Sequence, residues 1–389
     1  MKSPAKTILV IGGGKMGGSI IQLFIESSRD EIIWLARNES QAAKLRKKLK
    51  RIKKVIGFNS DDVSRVSIDT NPEVICQADY IIETVIEDVN VKKQIFELCL
   101  EYANENAILI TNSSSYIPYD ITDDIKILHR MAGVHFFYPV SGTSLVEVIT
   151  HSDIDEDAAI ELRRFCDSYK LRTIWQDRNN AFMINMFIMH MASEALRLSL
   201  TVGLIKSNYL SQSQLFPYGV LALFDAIGLP TIWHAQVSYL KRNNFIKIGT
   251  SEKIIGLISD FIDNAKTNTP RLLSGDNFNI VDPSDSSYSE LVKIEMSDVD
   301  AKDYLESVLI NSCLIAIESE LISLSDVEYA LKYVYGAKVS LSSEIRRIGS
   351  DKIISLLLKG YEKTNESYLL PSKLIINNEF LDNQLKETA

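Results

Sequence analysis

The chain predicts a doubly wound α/β domain followed by helical domains, and three observations carry that expectation. A short apolar strand at the N-terminus runs straight into a glycine-rich turn and a helix. Strand and helix patterns then alternate as far as residue 176, the signature of a parallel sheet with helices on both faces. From Ala181 the alternation stops, and long helical patterns rich in Met, Leu and Ile begin at Phe182-Met183-Ile184-Asn185-Met186. A domain boundary is expected near residue 180.

Thr7-Ile8-Leu9-Val10-Ile11 is a β-branched apolar run typical of a buried parallel strand. It feeds Gly12-Gly13-Gly14-Lys15-Met16-Gly17-Gly18, and residues 19–25 read as a helix. Gly12, Gly14 and Gly17 fill the three glycine places of G-x-G-x-x-G: the first for the tight turn, the second for backbone approach to a pyrophosphate, the third for close helix–strand packing. The helix start, with Lys15 and Met16, offers N–H groups and a positive dipole end to phosphates. A glycine triplet alone is a weak signal. Strand, loop and helix in this order predict a Rossmann-type dinucleotide site.

The second strand, residues 31–37, decides which dinucleotide. An acidic residue usually stands there, roughly 20 residues past the glycines, to hold the ribose hydroxyls. This chain has Ala36, then Arg37 and Asn38. Without the carboxylate a 2′-phosphate is not repelled, and the Arg37 guanidinium can bind it. NADP(H) is the expected cofactor; NAD(H), with Arg37 a solvated helix-start residue, is the other reading.

Residues 44–54 read as an amphipathic helix, with Leu45, Leu49 and Ile52 at helical spacing and a basic outer face. Such a face is ordinarily just solvated; a local attraction for phosphates, testable at Lys47 and Lys50, is the sharper reading. Residues 66–68, 78–85 and 107–111 are further strands, and residues 89–103 a helix. Glu87, the Asn112-Ser113-Ser114-Ser115 turn and His135 all fall just after strand ends, where ligands gather in this architecture. His135 ends an apolar strand, Pro139 turns the chain, and Leu145-Val146-Glu147-Val148-Ile149 returns. That hairpin lets Glu147 accept from one imidazole nitrogen while the other faces a substrate, an arrangement for proton transfer near neutral pH. A lone histidine here would more often be a satisfied core residue, but His135 shares its domain with the glycine motif. Residues 155–170 are a helix, 171–176 a last strand and 177–180 a turn.

In the helical region, Asn185 is a polar residue in an apolar helix start, where it could simply bridge backbone. Helices over residues 182–275 break at 216–219 and 228–230, and residues 276–300 read as a polar linker. The stretch beyond looks like a degenerate copy: Phe224-Asp225-Ala226-Ile227-Gly228 matches Ile345-Arg346-Arg347-Ile348-Gly349 in rhythm, and Glu194 and Glu318 lie in comparable apolar helices. The expected domains are 1–180, 181–290 and 301–389, the last two tandem all-α units.

At 389 residues there is room for two or three domains. A net charge of −9 argues against a general nucleic-acid binder. Apolar content of 46% with no membrane-length run fits a soluble protein, and residues 1–6 carry no hydrophobic signal core, so a cytoplasmic location is expected. Cys76, Cys99, Cys166 and Cys313 form no C-x-x-C pair and are expected as buried thiols. The five histidines lack metal-ligand spacing, so no metal is expected.

Taken together, residues 10–20 (VIGGGKMGGSI), 78–96 (ADYIIETVIEDVNVKKQIF), 111–115 (TNSSS), 132–149, 182–185 (FMIN) and 217–229 resemble the L-3-hydroxyacyl-CoA dehydrogenases over nearly the whole chain. The resemblance implies a Rossmann domain before a helical domain that some members carry twice. It implies that His135 is the catalytic histidine, paired with Glu147, and that Ser114 and Asn185 hold the substrate's reacting oxygen. Glu87 and Lys92 would lie near the nicotinamide half of the cofactor, with Asn112 in the same crevice. Hydride would pass between the nicotinamide and C3 of a 3-hydroxyacyl or 3-oxoacyl thioester.

This sequence departs from the family at Tyr138 (usually Asn), Asn180-Ala181 (usually Pro-Gly), Met186 (usually Arg) and Ala36 (usually acidic). A specialised biosynthetic enzyme acting on an acyl group carried by CoA or an acyl carrier protein fits these departures. A dehydrogenase of a free hydroxy acid, and a non-catalytic cofactor-binding partner protein, are the alternatives. The second helical copy could take a partner's place within one chain, giving a monomer with internal pseudo-symmetry; a homodimer through another face is the other reading.

Overall fold

Runs of Ile, Val and Leu build a single eight-stranded sheet in the first part of the chain. Its strands are β1 (Thr7–Ile11), β2 (Glu31–Leu35), β3 (Val66–Asp69), β4 (Tyr80–Glu83), β5 (Ile108–Thr111), β6 (Met131–Phe136), β7 (Leu145–Ile149) and β8 (Arg172–Gln176). The spatial order is β3-β2-β1-β4-β5-β6-β7-β8, with every neighbouring pair parallel except the β6–β7 hairpin. The computed structural model describes residues 5–27, 30–56, 64–176, 182–241, 252–263, 270–273, 294–377 and 380. The chain divides into two units, Met1–Ala181 and Phe182–Ala389.

Strand side chains alternate between faces, so each run feeds two cores. Ile8, Val10, Ile32, Trp34, Ile82 and Ile110 enter one; Leu9, Ile11, Ile33, Ile81 and Leu109 enter the other. Helices α1 (Lys15–Ser27), α2 (Glu39–Ile56) and α4 (Glu156–Ser168) cover the first core, through residues such as Phe24, Leu45 and Phe165. Helix α3 (Val89–Tyr102) covers the second through Phe96 and Cys99. The order reverses between β1 and β4, the switch point where open α/β sheets bind ligands.

Three local expectations need correction. Helix α1 begins at Lys15, earlier than residue 19, because Gly17 and Gly18 pack too closely for a side chain: a β-carbon on Gly17 would strike the Gly12 carbonyl. Tertiary packing there outweighs the low helix propensity of glycine. Strand β2 stops at Leu35, leaving Ala36 and Arg37 beyond it. Cys76 is exposed, unlike the other three cysteines, because its 3-10 turn (Pro72–Gln77) points Ile75 inward and its neighbour outward. The expected turn at 177–180 and most of the 276–300 linker lie outside the described residues; the linker's last residues, 298–300, open a helix.

The second unit is helical. Among the described residues its longer helices are α5 (Met183–Val202), α6 (Leu204–Leu210), α7 (Val220–Ile227), α8 (Leu229–Lys241), α9 (Glu252–Asp263), α10 (Asp298–Glu318), α11 (Leu324–Tyr333), α12 (Leu341–Ile348) and α13 (Ser350–Thr364). The long helices α5 and α10 pack along one another. Between them lies a buried polar network: Glu194 accepts from Tyr304 (2.8 Å) and Tyr368 (2.6 Å), and Arg197 donates to Glu366 (3.0 Å). Glu194 stands mid-helix and fully buried, whereas Glu318 closes α10 and receives Ser372 (2.7 Å), so the two are not equivalent positions. Among the described residues no single helix is long and apolar enough to cross a membrane; the bent pair 220–227 and 229–238 meets that test by length and composition only.

Candidate active site

The site is assembled from the carboxyl ends of β1, β4, β5 and β6. After β1, Gly12 adopts φ +128°, and a side chain there would collide with Thr84, so only glycine fits the turn. Around Gly14 nothing lies within 4 Å of where a β-carbon would stand, which leaves the approach that a pyrophosphate needs. Among the described residues no acceptor takes the N–H groups of Gly13, Gly14, Lys15 or Met16. These donors at the start of α1 form a fitting cradle for a dinucleotide's phosphates. Beyond β2, Ala36 is buried and the Arg37 side chain is exposed, with no ion-pair partner among the described residues. Its backbone N–H donates to Gln41 Oε1 at 2.6 Å, which turns the chain into α2.

At the end of β4 a buried ionic chain begins. Glu83, fully buried, accepts from Thr111 Oγ1 (2.8 Å) and pairs through both oxygens with Lys92 Nζ (3.0 and 3.1 Å). Lys92 also holds Glu87 Oε2 at 3.1 Å. Glu87 Oε1 in turn accepts the Ser114 and Ser115 N–H groups (both 3.0 Å), the Ser115 hydroxyl (2.6 Å) and the Ser113 hydroxyl. Burial alone would raise the Glu87 carboxyl, but Lys92 and the serine hydroxyls outweigh it and hold its pKa below the usual range. Burial would likewise lower Lys92, and the two carboxylates reverse that, keeping it charged. Glu87 thus pins the whole serine turn, and the chain fixes where Ser114 stands.

Next to that turn lies the imidazole. The antiparallel register pairs His135 with Glu147, and His135 Nδ1 stands 3.1 Å from Glu147 Oε2, both groups buried. Asn112 Oδ1 accepts the Phe136 N–H at 3.0 Å, which ties the start of the serine turn to the end of the histidine strand. Phe137 packs edge-on against the imidazole, with centroids 4.4 Å apart. Ser19 of α1 accepts the Val140 N–H (2.9 Å), anchoring the loop after His135 to the glycine-loop helix. With Nδ1 committed to the carboxylate, the ring's other nitrogen is the one that can exchange a proton with a substrate.

The first unit therefore brings together the glycine loop, Glu87, Lys92, Asn112, Ser114, His135 and Glu147 on neighbouring strand ends. Asn185 belongs to the second unit, as the half-buried third residue of α5. Glu83 is a site residue that the sequence reading passed over. Its signal was a carboxylate inside the apolar run Ile81-Ile82-Glu83, a position that is tolerated only with a buried partner.

Comparison with known proteins assigns this arrangement to a family. Residues 7–178 match the model of the 3-hydroxyacyl-CoA dehydrogenase NAD-binding domain. The 3-hydroxybutyryl-CoA dehydrogenase of Clostridioides difficile is 31% identical over 247 residues, which are 58% of this chain and 84% of that protein. The chain belongs to the 3-hydroxyacyl-CoA dehydrogenase family. The mitochondrial hydroxyacyl-coenzyme A dehydrogenase of Rattus norvegicus is 27% identical over 252 residues, 59% of this chain and 80% of its own length. The crystal structure of 3-hydroxybutyryl-CoA dehydrogenase from Escherichia coli K12 shares the fold, with a TM-score of 0.70 at 17% identity, over 98% of this chain and 100% of that one. The first unit is a nicotinamide-dinucleotide-binding domain of this family.

Proposed function

We propose that this protein is a nicotinamide-dependent oxidoreductase that interconverts the C3 hydroxyl and C3 oxo groups of an acyl thioester. Its acyl group is carried on coenzyme A or an acyl carrier protein, NADP(H) is preferred over NAD(H), and the step is a specialised biosynthetic one. The observation that carries this reading is the buried His135–Glu147 pair, 3.1 Å apart, on the strand next to a serine turn in a dinucleotide-binding domain. The names of the C. difficile and R. norvegicus relatives support the substrate class. The exposed Arg37, following Ala36 where an acidic residue would hold ribose hydroxyls, supports the choice of cofactor.

A nicotinamide supplies or accepts the hydride when bound. His135 exchanges the proton of the C3 oxygen: it takes that proton in oxidation and returns it in reduction. Glu147 holds the tautomer in which Nδ1 carries hydrogen, and stabilises the imidazolium formed when the second nitrogen is protonated. Ser114, whose N–H and hydroxyl both donate to Glu87 Oε1 (3.0 and 3.4 Å), turns that hydroxyl to the C3 oxygen when substrate binds and polarises it in the reductive direction.

The test is a panel of short 3-oxoacyl groups on CoA, on acyl carrier protein and as free acids, each with NADPH and NADH, followed by reduced-nicotinamide absorbance. Thioester turnover with higher kcat/KM for NADPH is expected. A clear NADH preference overturns the cofactor clause, and turnover of free acids alone overturns the thioester clause. Dinucleotide binding without turnover of any substrate favours a non-catalytic partner protein.

A further inference from the structure

Behind the glycine loop stands a cation that neither the glycine motif nor the His–Glu pair uses. Lys48, on the inward side of α2, passes over Gly18 and donates its ammonium to the Gly13 carbonyl (3.3 Å) and to the Gly14 carbonyl. Its Nζ lies 5.8 Å from the centroid of the Trp34 ring, and Trp34 donates its own Nε1–H to the Gly12 carbonyl at 2.8 Å. The carbonyls of all three consecutive glycines are therefore held by donors from β2 and α2. Gly18 makes the passage possible, because a β-carbon there would run into the Lys48 stem.

Lys48, half-buried, differs from the fully buried ammonium of Lys92. Lys92 has two carboxylates, whereas among the described residues no carboxylate pairs with Lys48, and burial alone lowers its pKa. Drawing an ammonium half out of water without a counter-ion costs free energy, which a nearby anion offsets. Lys47 and Lys50, on the same helix, are exposed.

We propose that Lys48 is a positioning residue for the diphosphate of the dinucleotide: lodged on the Gly13 and Gly14 carbonyls, its ammonium fixes the loop and gives the phosphate end of the cleft a full positive charge. The proposal rests on the dinucleotide reading of the glycine loop and assigns that reading a residue outside the glycine motif. It also separates two cationic roles, Lys48 for the diphosphate common to all such cofactors and Arg37 for a 2′-phosphate.

Calorimetric titration of the full-length protein with ADP, NAD⁺ and NADP⁺ tests it, using Lys48→Met, Lys48→Arg and Arg37→Ala. Lys48→Met weakens all three ligands by about tenfold at low salt, the size of one charge-assisted contact. The gap narrows at high ionic strength, and Lys48→Arg restores most of the affinity. Arg37→Ala weakens NADP⁺ alone. Unchanged affinities in Lys48→Met overturn the proposal, as does a loss that is independent of salt and not restored by arginine, which marks a merely structural role. If the unaltered protein binds none of the three ligands, the dinucleotide reading fails, and this proposal with it.

Discussion

At the scale of single residues, the proposed chemistry rests on the 3.1 Å contact between His135 and Glu147. Proton transfer by a positioned side chain typically contributes about 10²–10⁴-fold. His135→Gln is therefore expected to lower kcat by about two orders of magnitude or more, with dinucleotide affinity retained. Glu147→Gln keeps an acceptor for Nδ1 but removes the charge that steadies the imidazolium, so it is expected to fall between the two. Steady-state kcat beside calorimetric titration of the cofactor checks both, and near-full turnover in His135→Gln removes that residue from the mechanism. This pair was legible in the sequence because a short hairpin brings residues 135 and 147 opposite one another, and strand alternation fixes which side chains share a face. Glu83 and Lys48 were not. Their partners lie on a different element, and a helix wheel of α2 says nothing about which of its many lysines bends back over Gly18.

At the scale of elements, α5 and α10 carry a titration that the sequence hid. His190 of α5 stacks on Tyr368 at 4.4 Å, and its Nδ1 lies 2.8 Å from Ser312 Oγ of α10. Ser312 gives its own proton to the Val308 carbonyl (2.9 Å), so Nδ1 carries the imidazole hydrogen and Nε2 is bare. Among the described residues nothing accepts a proton placed on Nε2, and burial pushes the His190 pKa down to about 3. The sign follows from proton counts. Between the ordinary histidine value of 6.5 and about 3, the unfolded chain binds a proton that the folded chain refuses, so stability from this site falls as pH falls through that window. Each unit is about 1.4 kcal/mol. From pH 7.5 to 5, urea denaturation is expected to register about 2 kcal/mol more loss in the unaltered protein than in His190→Phe, which keeps the ring stack. Equal losses in the two proteins overturn this account. In the sequence His190 is one polar letter in a Met-rich helix, with no sign of a partner more than a hundred residues away.

At the scale of the whole molecule, the helical half bears on assembly. Gly228 (φ +107°) joins α7 to α8, and Gly349 (φ +91°) joins α12 to α13; each donates its N–H to the carbonyl four residues back, at 2.8 Å. The rhythm shared by residues 224–228 and 345–349 was readable because a helix–glycine–helix corner leaves its mark in a few adjacent letters. Register along the long helices leaves no such mark: Glu194 and Glu318 lie in comparable apolar helices but at different places along them. We propose that the two halves of the helical region are copies, with α10 packed on α5 where a second chain would otherwise be needed. Within this single chain α5 is buried at every position but Asn185, Thr201 and Val202, so little of it is left for a partner. A closed pair of copies has already satisfied the face that an isologous dimer would use. Light scattering at micromolar concentration is accordingly expected to return a mass near the 43.8 kDa of one chain. A mass about twice that, persisting on dilution, would mean that association uses a surface outside the α5–α10 packing, and the internal-twin account of assembly would fail.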